Sequence, residues 1–329
     1  MGYYLMKNKI TAILDFINKN DNFLLTAHVN ADGDAIASVL AASVFLEKLH
    51  KQFKIVFHDQ SIDPKYNYIK NWNKIESFND SLKQNLNGSI KAALIFDSPG
   101  NSRIGDVSTL LSNGIPCLKI DHHPSEETFN ADDWVDTDAS SVSAMIFEII
   151  EQSSVSLDKD LAEALYTGIV FDTGRLSYSN TRARDFEICA ELAKAGVDPG
   201  KITNAMFFNN KVTSLQVIGQ GLKSIAQYLN GNVTVITLLH NDLQDVEQYE
   251  IEDLASFSVS LRDSEIGVFI RELKPGFFKI SLRSKTYVDV SQVARHFDGG
   301  GHVRASGCRF EGTYQDLLDK LLDNLKRQL

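Results

Sequence analysis

Four short runs, apolar at nearly every position, set the limits on what this chain can fold into. They are NFLLTAHV at 22–29, FKIVF at 53–57, KAALIFD at 91–97 and PCLKID at 116–121. A strand that is apolar throughout, and not at alternate positions, is one covered on both faces. Between and after these runs the apolar residues recur at helical spacing, over 34–50, 141–152, 159–171 and 183–196. Gly196 followed by Pro199 predicts a helix stop and a restart. Buried strands separated by helices predict an α/β fold, a parallel sheet with helices on both faces.

The texture then changes. A helical stretch over about 211–227 leads to β-type runs at 232–240, 265–273 and 277–284, with Pro275-Gly276 as a turn between the last two. DVSQVARHF at 289–297, a glycine-rich 299–301, a short strand near 306–311 and a helix from about 313 follow. The 329 residues suit two domains. The expected division is a first domain over 1–210, a helical connection over 211–229 and a smaller α/β domain over 230–329, with a cleft between them.

Composition excludes several classes. Apolar residues at 43% and charged residues at 23% rule out a disordered or collagen-like chain. A net charge of −10 argues against gripping long duplex DNA, which needs many phosphate-neutralising cations. That charge is uneven, because residues 262–309 hold nine Lys/Arg against five Asp/Glu. Three scattered cysteines imply no disulfide framework. Lys7, Lys9 and Asp15 interrupt the start where a signal peptide needs an apolar core, and Met6 stands where myristoylation wants Ser or Thr. With no run long enough to span a bilayer, a cytoplasmic protein is expected.

Four clusters carry chemistry, and each ends an apolar segment. His28-Val-Asn30-Ala-Asp32-Gly-Asp34 offers one imidazole and two carboxylates just past the first strand, a set suited to Mn²⁺ or Mg²⁺ and not to structural zinc. An EF-hand fails because its sixth and twelfth positions would be Ala35 and Ala41. An aspartate-rich turn capping a helix stays open. Asp97 ends AALIF and needs a partner, whether a helix end, an arginine or a metal. Asp121-His122-His123 ends CLKI; adjacent histidines on an extended chain point opposite ways, so one can ligate while the other reaches substrate. Asp172 ends a helical apolar run. A Walker A loop, a GxGxxG loop and a G-x-S-x-G elbow are all absent. His50, His58, His240 and His296 match no motif and read as structural or solvated.

In this order, HVNADGDAIAS, ALIFDSPGNSRIG, IDHHPS and GIVFDTGRLSYSNT resemble the four motifs of the DHH phosphoesterases. ISLRS at 280–284 and GGGHVRASG at 299–307 resemble the DHH-associated C-terminal domain. The subgroup they resemble is that of bacterial bifunctional oligoribonucleases and adenosine bisphosphate (pAp) phosphatases. Ala31 stands where proline is usual, Ala37 where glycine is usual and Ser306 where alanine is common. The resemblance implies two divalent cations, Mn²⁺ ahead of Mg²⁺. His28, Asp32 and Asp97 would hold one, and Asp34, Asp97, His122 and Asp172 the other, with Asp97 shared. It implies a phosphate contact or leaving-group acid at His123, or a partner that orients a ligand. Arg103 is read as a substrate contact or as half of a surface salt bridge. Arg283, His302, Arg304 and the bare amides of Gly299, Gly300 and Gly301 would hold the far end of the substrate, although three glycines are usually a turn. Tyr178 is a candidate for stacking on a base.

The implied activity is hydrolysis of short oligoribonucleotides to 5′-mononucleotides and removal of the 3′-phosphate from pAp. The substrate is short RNA or a small nucleotide, with no long duplex DNA and no membrane, in a chain that could be a homodimer. The competing readings are a c-di-AMP or pApA phosphodiesterase and a non-catalytic nucleotide sensor.

Overall fold

In the computed structural model the apolar runs of the first two-thirds assemble into one six-stranded, all-parallel sheet. Residues 3–86, 88–111, 114–124, 127–243 and 246–329 are described, without the side chains of 3–5, 248 and 249. Met1-Gly2 of the chain start and Ser125 of the third motif lie outside the described residues. The chain divides into two compact units, Met1–Asn209 and Asn210–Leu329.

The first unit runs α1 (Tyr3–Lys19), β1 (Phe23–Thr26), α2 (Gly33–Lys48), β2 (Phe53–Phe57), β3 (Ile75–Ser77), α3 (Asp80–Leu86), β4 (Ala92–Phe96), β5 (Cys117–Asp121) and β6 (Trp134–Val135). Four helices complete it: α4 (Val142–Glu151), α5 (Lys159–Asp172), α6 (Ala183–Lys194) and α7 (Pro199–Phe207). The strand order is β3-β2-β1-β4-β5-β6, so the winding reverses between β1 and β4. Alternation sends successive side chains to two cores. Phe23, Leu25, Ile55, Phe57, Ala92, Leu94 and Phe96 face the larger core with α1, α2, α4 and α5. Leu24, Val56 and Ala93 face the smaller core, under α3 and the 3-10 turns of Asn101–Leu110. That two-sided cover is why these strands read as unbroken apolar runs.

α2 is buried from Gly33 to Leu46 and lies closely against α5. Gly168 permits that approach: a Cβ there would stand 1.9 Å from Ser143 Oγ and 2.4 Å from Asp34 Oδ1. Ala37, in place of the usual glycine, is fully buried in the same core. The Gly196–Pro199 break separates α6 from α7, and the N-cap Asp198 side chain accepts from Lys201 N–H.

The second unit contains α8 (Val212–Lys223), β7 (Ala226–Tyr228), β8 (Val233–Leu238), α9 (Asp253–Val259), β9 (Ile266–Lys274), β10 (Phe277–Ser284), α10 (Val290–Arg295), β11 (Gly300–His302), β12 (Ala305–Glu311) and α11 (Tyr314–Lys326). Its sheet has the order β11-β12-β10-β9-β8-β7 and is antiparallel except for β8 with β9. Phe278, Ile280 and Leu282 pack with α10 and α11 on one face, while Ile236, Leu238 and Phe269 pack with α8 and α9 on the other.

Three local expectations change. The helix expected over 211–227 stops at Lys223, because Ala226–Tyr228 pair with β8. The glycine-rich 299–301 is not a free turn, since Gly300–His302 form the edge strand β11 against β12. A Cβ at Gly301, where φ is +135°, would meet Ala305 O at 2.6 Å, so glycine lets the two strands close. Helix α1 went unread as a helix, although Ile10, Ile13 and Ile17 bury one of its faces at i, i+3, i+7 spacing. Among the described residues no helix is long and apolar enough to cross a membrane, and Cys117, Cys189 and Cys308 are free thiols.

The α2–α5 contact yields a paired prediction. Gly168→Ala is expected to lose about 1–3 kcal/mol through overpacking. Gly219→Ala, in α8 with open space around it, is expected to gain up to about 1 kcal/mol. Urea denaturation of both variants checks this, and a Gly168→Ala protein as stable as the parent would contradict the packing described.

Candidate metal centre

Open parallel sheets bind ligands beyond the carboxyl ends of their strands, where the winding reverses. Here that point lies between β1 and β4, and the candidate residues converge on it. His28 stands two residues past β1, Asp97 immediately follows β4, and His122 follows β5. Helix ends bring the others: Asp32 and Asp34 at the start of α2, and Asp172 as the last residue of α5.

Three sets of donor atoms, each within 4.8 Å, share Asp97: His28 with Asp32, Asp34 with His122, and Asp121 with His123. His28 Nε2 lies 3.8 Å from Asp32 Oδ1 and 3.5 Å from Asp97 Oδ2. His122 Nε2 lies 3.4 Å from both Asp97 Oδ1 and Asp172 Oδ2. Both imidazoles are oriented by backbone. His28 Nδ1–H donates to the Val29 carbonyl at 2.9 Å, and His122 Nδ1–H to the Ala139 carbonyl at 3.2 Å. Each ring therefore aims Nε2 at the carboxylates, the arrangement that fixes a ligating tautomer. Asp97 itself is 2% exposed, at a left-handed φ of +50°. Its Oδ1 accepts no hydrogen bond among the described residues, although two imidazole nitrogens stand at 3.4 and 3.2 Å. A buried carboxylate oxygen so placed, in a set of imidazoles and carboxylates, fits divalent cations with ligand bonds of about 2.1 Å. The residues present can hold metal.

The capping alternative for the first motif is also realised. Asp32 Oδ1 accepts the Asp34 and Ala35 amides at 3.1 Å, capping α2, and does so while belonging to the cluster. Asp34 is fully buried at the start of α4 (capped by Ser141), where its oxygens accept Val142 N–H at 2.6 Å, Ser143 N–H at 3.1 Å and the Ser38 hydroxyl at 3.2 Å.

Protons settle unevenly over these groups. Burial disfavours a charged Asp97, but the imidazoles of His122, His123 and His28 outweigh it and hold the carboxyl well below the usual range. Burial and the neighbouring Asp97 charge push Asp34 up to about 6, and burial with three aspartates raises Asp172 well above its ordinary value. For His28 and His122, burial is outweighed by the surrounding aspartates, so both stay protonated well above the usual imidazole range.

His123 is placed differently. Its Nδ1–H donates to Asp121 Oδ1 at 2.9 Å; burial disfavours its charged form, but the adjacent Asp121 and Asp97 carboxylates outweigh that and raise it to about 9. Asp121, fully buried, is the hydrogen-bond partner of His123, a part that the motif reading did not give it. Asp59 was missed altogether: its two oxygens accept the Asn30 and Ala31 amides, both at 2.8 Å. A proline at 31 would have no N–H to offer there, so this clamp accompanies the Ala31 departure. Arg103 is half-buried; its carbonyl accepts Val29 N–H at 2.7 Å, its Nε has no hydrogen-bond partner and it makes no ion pair among the described residues.

In the second unit, Arg283 is half-buried on β10, with Nη1 donating to the Leu282 carbonyl. Arg304 Nη1 donates to the Val288 carbonyl at 2.6 Å. His302 ends β11, opposite Ala305.

Residues 22–169 match the DHH family, N-terminal domain, and residues 230–329 match the DHHA1 domain. The chain is a DHH-family protein. This DHH chain is 27% identical over 312 residues to the bifunctional oligoribonuclease and PAP phosphatase NrnA of Thermus thermophilus, across 92% of this chain and 90% of the relative. It is 26% identical over 321 residues to the protein of the same name from Bacillus subtilis, across 96% and 97%. The crystal structure of an exopolyphosphatase-related protein from Bacteroides fragilis matches the DHH chain with a TM-score of 0.90 at 24% identity, over 98% of this chain and 96% of that one, a likeness of fold.

Protons and cations compete for the same atoms of the DHH cluster, since an imidazole must be neutral to ligate. His28 and His122 are both raised, so the protons that would have to leave for a cation to bind are held up to and beyond neutrality. Calorimetric titration with Mn²⁺ between about pH 5.5 and 8 is expected to give a Kd that falls as pH rises, with protons released on binding. An affinity flat across that range would contradict the arrangement.

Proposed function

We propose that this chain is a metal-dependent phosphoesterase that hydrolyses short oligoribonucleotides to 5′-mononucleotides and removes the 3′-phosphate from pAp. The observation that carries the reading is Asp97, a buried carboxylate common to the His28–Asp32 and Asp34–His122 donor sets, whose imidazoles both aim Nε2 at it. The names of the Thermus and Bacillus relatives, which span nearly the whole chain, support the substrate class.

In this reading His28, Asp32 and Asp97 hold one divalent cation, and Asp34, Asp97, His122 and Asp172 the second. The mixed imidazole and carboxylate donors favour Mn²⁺ as the ion. When bound, such a pair supplies an acidified water and neutralises phosphate oxygens. The protein's own groups do the rest. Val29 and Ala139 carbonyls keep His28 and His122 turned toward the carboxylates. Asp121 keeps the His123 Nδ1 proton in place, which leaves Nε2 to give a proton to the departing oxygen. Arg103 contacts the phosphate, with its unpaired Nε available to an anion. Arg283, His302, Arg304 and the amides of Gly299, Gly300 and Gly301 hold the remainder of the nucleotide; as an edge strand, β11 leaves part of its backbone outside the sheet ladder. Tyr178, 54% exposed in the fourth motif, stacks on a base.

Turnover of a short RNA ladder, pAp, pApA and c-di-AMP, with Mn²⁺ and Mg²⁺ supplied separately, tests the proposal. RNA and pAp are expected to be consumed, with 5′-mononucleotides as the RNA product, and Asp172→Asn is expected to lower kcat/KM on the order of a hundredfold or more. A clear preference for c-di-AMP over every linear substrate, or an unchanged Asp172→Asn enzyme, would overturn it.

A further inference from the structure

The loop that leaves β10 is held more tightly than a surface connection requires. Glu265, 8% exposed, gathers three consecutive amides on one oxygen: Thr286 N–H at 2.8 Å, Tyr287 N–H at 2.9 Å and Val288 N–H at 3.2 Å. Its other oxygen accepts the Thr286 hydroxyl at 2.8 Å, and its carbonyl accepts Lys285 N–H at 3.0 Å. The Val288 carbonyl accepts both the Ser284 hydroxyl and Arg304 Nη1 at 2.6 Å, and Val290 N–H donates to the Val303 carbonyl at 3.0 Å. The side chain of Val288 is buried in the core beneath. What this frame presents to solvent is the ring of Tyr287, 60% exposed, with Val303, 46% exposed, on the turn bonded to the loop.

An exposed aromatic is ordinary on a protein surface. One whose backbone is fixed by a buried carboxylate and an arginine is a preformed contact, because little freedom remains to be lost when something settles on it. We propose that Tyr287, flanked by Val303, is a stacking platform for one nucleobase of the substrate, in the second unit and separate from Tyr178. This rests on the reading of the chain as a phosphoesterase of short RNA. The surroundings favour a nucleotide over an apolar protein partner: Arg283 is the penultimate residue of the strand before the loop, Lys285 and Arg304 belong to the frame, and Glu265 is consumed by the loop itself. Cations for the phosphates beside an aromatic face for the base are what single-stranded nucleic acid requires, and stacking accepts every base. That suits an enzyme whose substrates differ in sequence.

The test compares Tyr287→Ala and Tyr287→Phe with the parent on a three-nucleotide RNA, and on the same RNA with one abasic nucleotide at each position in turn. Tyr287→Ala is expected to raise KM about tenfold with kcat little changed, and Tyr287→Phe to restore it. One abasic position is expected to cost the parent the same factor and to cost Tyr287→Ala nothing further. The inference is overturned if Tyr287→Ala hydrolyses the RNA with an unchanged KM, if every abasic position costs the variant as much as the parent, or if the variant alters the oligomeric state by light scattering and leaves KM alone. If the parent itself does not hydrolyse RNA, the functional reading fails, and this inference with it.

Discussion

A single carboxylate, Asp97, organises this molecule. Strand β4 is buried along its whole length and then delivers an ionised group, 2% exposed, in a left-handed backbone conformation. Burying such a charge costs several kcal/mol unless opposite charges and hydrogen bonds offset it. The strand order supplies that offset. With β1 on one side and β5 on the other, His28 and the His122-His123 pair arrive at Asp97 from both flanks. The same three imidazoles that hold Asp97 ionised leave one of its oxygens without a hydrogen bond. A site of this make-up is stable only with positive charge in it, whether carried by protons or by cations.

The helices complete the site through contacts that serve the fold equally. Asp34 satisfies two orphan amides at the start of α4, where the helix dipole favours a carboxylate, and so ties α2 to α4. Gly168 lets α5 come against them, and α5 then ends on Asp172. Asp32 caps α2 with Oδ1, the same oxygen that stands 3.8 Å from His28 Nε2. Capping and ligation are thus not competing explanations for these aspartates. The helix ends bring their aspartates to the cluster around Asp97.

That overlap explains what could be read from sequence. The strands were legible because two-sided burial removes polar residues from them, and Asp97, His122 and Asp172 were legible because each interrupts an apolar run. Asp59 was not, because its role depends on a bidentate contact to amides nearly thirty residues away, and an aspartate in a polar loop carries no local mark. Asp121 was visible as a motif letter, but its role as the partner of His123 needs a side-chain direction that the sequence does not state. Three glycines look like a turn because glycine is a poor strand former. They became an edge strand since a Cβ at Gly299 or Gly301 would strike the backbone of β12. Tyr287 was hidden for the same reason as Asp59: its rigidity comes from Glu265, across the sheet.

The central claim is that Asp97 is shared by two cations. A crystal structure of the Mn²⁺-loaded protein, with anomalous scattering recorded at the manganese edge, tests it most directly. The account predicts two peaks about 3.5–4 Å apart with an Asp97 oxygen on each. A single peak, or two peaks that Asp97 does not touch, would contradict it.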